Sequence, residues 1–541
     1  MKVQLPRRRL IPRWRRVATT LELPEGTPAA SRKSGSPIAG DTQELEVAIS
    51  EWRSNPTLGH LGDILAHSVA DDLKDEVKKV AAEVRAKGLP TTFAQEEIIK
   101  RLLSDEESSQ VVPTSGCEVC NPHVRQQTRE LRSILRLNPA NPLALLDLAQ
   151  FQLASGNVKD AERSLLTANH LSHNNRLVLR TLARFYVHSG SPDKAHSLLV
   201  RSARTRTDPW LMAGEIAVSQ AAGIPSRFAS VGSKIALQTG NSRKEVTELA
   251  GAVGGLELAN GRWKRARELF RVALLSPNDN VIAQAITDQK DLMLNIDTLT
   301  QRRAASRAVE ARALLAWQAM DAEAAEAAAF KWHAEEPFSS RPLHVLTALS
   351  AVASKYENLV GLARRGLVAN PDDAVLMANL AYGLASLDRL PEARSAIQKA
   401  RSLDPKAVGA QVTATSGLIA LKELRFEMAD ALYGDAIDQF RAAKRDDMVA
   451  ACYAYYARAA CHAGHPRATD ILDSAVRSYL EAPSVDAALV LRSIGRDVKE
   501  PKPDENMRRL SQWIYNERTN TLTLEQKVTN PGAPALRIKS E

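Results

Sequence analysis

Apolar residues recur three and four positions apart along most of the chain, with polar residues in the intervals, which is the pattern of a helix that buries one face. The runs come in pairs, each divided by a glycine or a polar turn, so the elements predicted are helix–turn–helix hairpins. Pairs between residues 138 and 480 share a register. Ala149, Ala183 and Ala217 stand 34 residues apart, as do Ala161, Ala195 and Ala229. Ala168 and Ala236 mark a third phase with Ser202 between them, and Pro337, Pro371 and Pro405 keep the same interval. Such a period is too long for one element and too short for a domain. It suits a unit that stacks on copies of itself.

The same pattern divides the rest of the chain. Residues 1–40 mix Arg, Pro, Ser and Gly without periodicity and read as a disordered basic arm. Helical spacing through Leu45, Trp52, Leu61, Ile64, Val77, Val80 and Val84 predicts a small helical region over 41–107. Residues 108–137 read as a Cys-x-x-Cys loop and a capping helix, and 138–482 as the solenoid, of about nine units. The register breaks at 278–305, where an irregular or extra helix is expected. Capping helices are expected over 483–498, and 499–541 read as a tail in which Trp513, Ile514 and Tyr515 either dock on the last unit or form a motif for another protein.

The unit "AVLMANLAYGLASLDRLPEARSAIQKARSLDP", ending at Pro405, places small residues and Tyr on a first helix and alanines on a second. "GRWKRARELFRVALLSP" adds Gly261, Ala266, Phe270 and Ala273, and "RFEMADALYGDAIDQF" adds Ala429, Tyr433 and Ala436. In these residues the chain resembles the tetratricopeptide repeat family, in a degenerate form of the kind common among bacterial arrays. Most units lack the aromatic pair of the family pattern, and Gly254 and Thr347 occupy its small-residue slot. The resemblance implies an all-α, right-handed α-solenoid with a concave groove lined by the first helix of each unit, flanked here by a helical N-terminal region and disordered termini.

Charge changes this picture only at one end. The net +9 includes nine basic side chains in residues 1–40 against Glu22 and Glu25, a surplus of seven, so the remainder is nearly neutral. Four cysteines in 541 residues exclude a disulfide framework. No apolar run approaches the roughly 20 residues of a membrane span. Arg7-Arg8-Arg9 leads to Leu10-Ile11-Pro12-Arg13 and not to the apolar stretch of a secretory signal, which points to a reducing, cytoplasmic location. An Arg-rich, acid-poor start also suits an organelle transit peptide, although Pro6 and Pro12 interrupt the helix that would need.

Candidate chemistry is sparse. Cys117, Cys120 and His123 form the one metal-like constellation: a Cys-x-x-Cys turn can point two thiolates at a Zn²⁺ and His123 can add a nitrogen, but a structural site wants four ligands. The alternatives are two reduced thiols in a loop or a redox pair. Arg176, Arg180 and Arg184, four residues apart, line one helix face. By the family frame Arg180 and Arg184 face the groove, where guanidinium forks can take an acidic peptide or a nucleic-acid backbone; local pairing to Asp193 or Asp208 is the plainer alternative. Arg7, Arg8, Arg9, Arg13, Arg15 and Arg16 surround Trp14, a mixture able to neutralise phosphates while the indole stacks, or to meet an acidic protein or membrane surface. No H-E-x-x-H, G-x-S-x-G or phosphate-loop motif occurs.

The expected function is therefore non-enzymatic: a scaffold or accessory subunit that binds a partner peptide or helix in the groove, without a cofactor unless zinc sits at Cys117 and Cys120. The alternative is a nucleic-acid-associated factor acting through the arm and the Arg176–Arg184 strip.

Overall fold

A computed structural model describes residues 9–14, 39–54, 74–89, 122–238 and 243–498, apart from 295 and 297, with a few single positions in between. The chain divides into two compact units, Glu22–Gly116 and Met1–Leu21 with Cys117–Glu541. All described secondary structure is helical, and the fold is a right-handed α-solenoid.

The smaller unit contains α1 (Ala39–Ser54) and α2 (Lys74–Ala86). Val77, Val80, Ala81 and Val84, spaced three or four apart, bury one face of α2 against Leu45, Trp52, Ile64 and Leu65.

The larger unit begins with α3 (Pro122–Leu137) and continues as helical pairs. These are α4 (Pro142–Ala154) and α5 (Val158–Leu171), α6 (Arg176–His188) and α7 (Pro192–Arg201), then α8 (Pro209–Ala222) and α9 (Ala229–Leu237). They continue with α10 (Arg243–Ala259) and α11 (Trp263–Ala273), α12 (Asp279–Leu292) and α13 (Leu299–Arg307), and α14 (Val309–Gln318) and α15 (Ala322–Glu335). The array ends with α16 (Ser340–Val352) and α17 (Tyr356–Ala369), α18 (Ala374–Ser386) and α19 (Leu390–Leu403), α20 (Pro405–Lys422) and α21 (Phe426–Ala442), α22 (Asp446–Ala463) and α23 (Ala468–Glu481), and a single α24 (Val485–Ser493).

The stretch where the sequence register breaks is itself a pair, α12 and α13. Their connection runs through Met293 in a left-handed conformation to Thr298, which opens α13 in a reciprocal cap with Gln301. This connection shifts the phase without interrupting the stack. At the far end one helix, α24, stands among the described residues where capping helices are expected.

The repeat is written in its caps and turns as much as in its alanines. Asn141, Asn175 and Asp208 each close the start of a first helix by accepting from the second and third backbone amides. The residue after each first helix must turn left-handed to send the chain back. Gly156 and Gly190 do so at φ 79° and 72°, a conformation without penalty for glycine. Met320, Ser354, Asp388 and Leu424 hold the same kind of turn later in the array, at φ 58° to 61°, with a side chain to accommodate. Ala149, Ala183 and Ala217 are buried where first helices meet their neighbours, since a larger side chain would hold the helices apart.

Successive turns of the stack also touch. The His188 side chain lies 3.3 Å from the Ala369 carbonyl, 181 residues on. Gly156 runs so close to Val368 that a Cβ there would sit 3.0 Å from the Val368 oxygen.

Candidate peptide-binding groove

A short segment of the chain itself packs against five first helices, α4, α8, α10, α12 and α14. Residues 9–14 have no helical or strand pairing of their own. Leu10, Pro12 and Trp14 are buried, whereas Arg9 is exposed. The arm is therefore not free throughout: its central residues are packed 136 to 297 positions away in sequence. Arg7, Arg8, Arg15 and Arg16 lie outside the described residues.

Each residue of the segment meets a different kind of surface. Leu10 enters a cluster of Met212, Ile216, Leu249, Val253 and Val281 from α8, α10 and α12. Gly251 is what admits it, because a Cβ there would stand 2.8 Å from the Leu10 methyl. Pro12 crosses α8 at Gly214, where a Cβ would approach its ring to 3.3 Å. Trp14, 1% exposed, fills a pocket with Leu145, Leu146, Ala149 and Val178, and its ring lies 5.0 Å from that of Phe338. Two amide side chains hold the backbone: Asn280 donates to the Ile11 carbonyl at 3.2 Å and Gln150 to the Trp14 carbonyl at 2.7 Å.

Arg13 carries the charge of the segment into a cage of carboxylates. Its guanidinium bonds to Glu310 on α14, with Asp279 on α12 at 3.7 Å and Glu336, before α16, at 3.8 Å. Burial works against the charge, but Asp279, Glu310, Glu336 and Glu335 outweigh it and raise the Arg13 pKa above its ordinary value. Arg341 also pairs with Glu310, at 2.8 Å. The fit is not saturated: Arg13 Nε and Nη1 and Trp14 Nε1 are buried without hydrogen bonds.

Energetically the segment is close to balance. Burying Leu10 and Trp14 contributes roughly 2–3 kcal/mol each, and the two backbone bonds about 1 kcal/mol each. Ordering six residues costs roughly 1–2 kcal/mol per residue. The Arg13 cage is then what decides occupancy.

The arginine strip of α6 takes part in this wall from within. Arg176 pairs with Asp208 at 2.6 Å. Arg180 binds both oxygens of Glu248, at 2.8 and 2.9 Å, donates to the Trp210 carbonyl at 2.8 Å, and stacks on the Trp210 ring. Glu248 also accepts from Asn280 at 2.7 Å, so a chain of contacts runs from Arg180 through Glu248 and Asn280 to the Ile11 carbonyl. Arg184 lies over Phe338, and its pKa falls through burial and the neighbouring charges of Arg341 and Arg13. The strip is thus engaged internally, and the side chains that meet Arg13 are acidic.

Arg458 on α22 marks a second polar feature. It donates to the Ala351 and Val352 carbonyls at 2.8 and 2.9 Å and to the Tyr382 hydroxyl at 2.9 Å, beside a cavity of about 290 Å³ lined by Tyr356, Tyr382, Tyr455 and Lys422. These bonds tie the C-terminal end of α16 to α22.

Sequence reasoning reaches Arg13, Trp14 and Arg180 but not their partners Gln150, Glu248, Asp279, Asn280, Glu310 and Glu336. One signal was available: Glu248 follows Arg180 by 68 residues, twice the repeat. Cys117 and Cys120 lie outside the described residues, as does the side chain of His123 and the tail with Trp513. No described helix is long and apolar enough to cross a membrane.

Residues 129–178, spanning the end of α3 to the start of α6, match the family model described as tetratricopeptide repeat. Among solved structures the chain is similar to the APC/C hetero-tetramer Cut9-Hcn1 at 10% identity and a TM-score of 0.39, covering 90% of this chain and 93% of that one. It is similar to the human IFIT1 dimer with PPP-AAAA at 13% identity, TM-score 0.35, covering 70% and 96%. Yeast Tom70 follows at 12% identity, TM-score 0.30, covering 90% and 99%. No curated protein matches the chain.

Proposed function

We propose that the chain, whose residues 129–178 match the tetratricopeptide repeat model, is a non-enzymatic interaction scaffold that holds a segment of a partner protein in the groove of its larger unit. The observation that carries this reading is the seat of Leu10–Trp14: a segment outside any helix, gripped at two carbonyls by Asn280 and Gln150, with side-chain pockets between. Amide readers of backbone carbonyls accept any sequence, while the pockets choose among them. A wall preformed by packed helices gives up little entropy on binding, so a few anchors suffice.

The test is affinity purification of the tagged full-length chain from its native host, compared with Glu310→Lys/Glu336→Lys in the groove and Arg163→Ala on the exposed face of α5. Circular dichroism checks that each variant is folded. At least one partner should disappear from the groove variant and remain with Arg163→Ala. A partner set indifferent to groove charge would defeat the reading.

A further inference from the structure

We infer that the groove is a receptor for segments carrying an arginine followed by a large aromatic residue, and that Leu10–Trp14 is a resident copy of this ligand that a partner's segment displaces. The inference rests on the groove reading above and names its ligand.

The selectivity follows from what meets each position. Three carboxylates from separate elements, Asp279, Glu310 and Glu336, converge on one guanidinium. Arg341, which pairs with Glu310, and Arg184 are among the cations near them. A planar fork reaching several carboxylates at once favours arginine over the point charge of lysine. The next position is an aromatic slot closed by Phe338 and Leu146. Trp14 Nε1 finds no acceptor there, so the slot selects a ring and not an indole N–H. Upstream, Gly214 and Gly251 flatten the wall for a proline and an aliphatic side chain.

The same details make the resident replaceable. Arg13 uses neither Nε nor Nη1 in a hydrogen bond, which leaves room for a segment with better-placed anchors. The arm's advantage is its covalent tether, which makes its return intramolecular, at an effective concentration on the order of millimolar. An external segment must overcome that advantage, so the intact chain binds weakly and the opened chain binds well.

The experiment uses the full-length chain and its Arg13→Glu/Trp14→Ala variant, with a fluorescent ten-residue peptide of the sequence of residues 7–16 read by anisotropy. The opened variant should bind at least about tenfold more tightly than the intact chain, the tether having been removed. Replacing the peptide's arginine (R13Q) should weaken binding by about tenfold or more, and W14F should change it by less than about threefold. A scrambled peptide of equal charge that binds as well would overturn the inference. Hydrogen exchange of the intact chain provides a second measurement. The amides of Leu10, Ile11, Arg13 and Trp14 should exchange ahead of the helices of the wall, and faster still with excess peptide. Exchange of these amides only on global unfolding would make the arm a permanent part of the core and overturn the inference without the variant. If the opened variant gains a host partner but not the peptide, this ligand assignment alone fails. If it gains neither, the groove reading fails with it.

Discussion

Arg180 holds both carboxylate oxygens of Glu248, at 2.8 and 2.9 Å, across two repeat lengths of sequence. Glu248 is 1% exposed on its side chain and Arg180 12%, so neither partner can turn to water if the other is removed. Arg180→Met should lower stability by about 3–5 kcal/mol, the cost of a buried charge left without its partner. Adding Glu248→Gln should recover most of that loss. Chemical denaturation of the four members of the cycle measures both. A single variant within about 1 kcal/mol of wild type would show the pair to be solvated.

Leu424 is 65% exposed and turns left-handed at φ 58°. Its side chain gains little from packing while its backbone bears the crowding that this conformation imposes on any L-residue. Leu424→Gly should therefore raise stability by about 1 kcal/mol. Gly190→Ala should lower it by a similar amount, since φ is 72° there and a Cβ meets nothing else within 4 Å. Thermal melts of the two variants should move in opposite directions.

His333 is buried in α15, and its Nδ1 has no hydrogen bond. Burial, with the nearby charge of Arg365, pushes its pKa down from 6.5 to about 4. The folded protein then keeps the imidazole neutral while the unfolded chain takes up a proton below pH 6.5. This contribution to stability is complete above pH 6.5 and is lost as pH falls toward 4, at up to roughly 1.4 kcal/mol per pH unit. His188, pushed down to about 3 by burial and Arg184, acts in the same direction. His333→Leu should flatten the fall in denaturation midpoint between pH 6.5 and 4.5. An unchanged slope would mean that His333 is solvated.

Cys452 and Cys461 stand nine residues apart on α22 yet should differ in chemistry. Burial pushes the Cys452 thiol up to about 12, whereas Cys461 is exposed. The thiolate is the reactive form. A disulfide reagent at pH 8 should label Cys461 within minutes and Cys452 only after unfolding, as read by peptide mass mapping. Labelling of both at one rate would place Cys452 at the surface.

The solenoid is legible in sequence because helix packing is a local demand repeated at one interval. Ala149, Ala183 and Ala217 are small because each faces a neighbouring helix, and a single register exposes the requirement. The α12–α13 pair is less legible, since the connection through Met293 and Thr298 shifts its phase while leaving its packing intact. For Leu10–Trp14 the sequence singles out Arg13 and Trp14 but not the place where they bind. Two prolines and scattered arginines look like a free arm, and what orders them is Gln150, Asn280 and Glu310, residues that carry no local sign of that role. Arg13 likewise reads as a surface cation because its carboxylates come from three separate elements.

Phe338, which closes the slot for Trp14, has a consequence for how the molecule is made. A ribosome delivers it about 320 residues after the tryptophan, roughly 15–65 s later at 5–20 residues per second. During that interval the seat is incomplete: the Leu10 cluster closes only with Val281, and the Trp14 slot only with Phe338. A segment synthesised well before its seat is thus ordered late, and a chain stalled before Phe338 carries a basic and aromatic hook whose slot is still open.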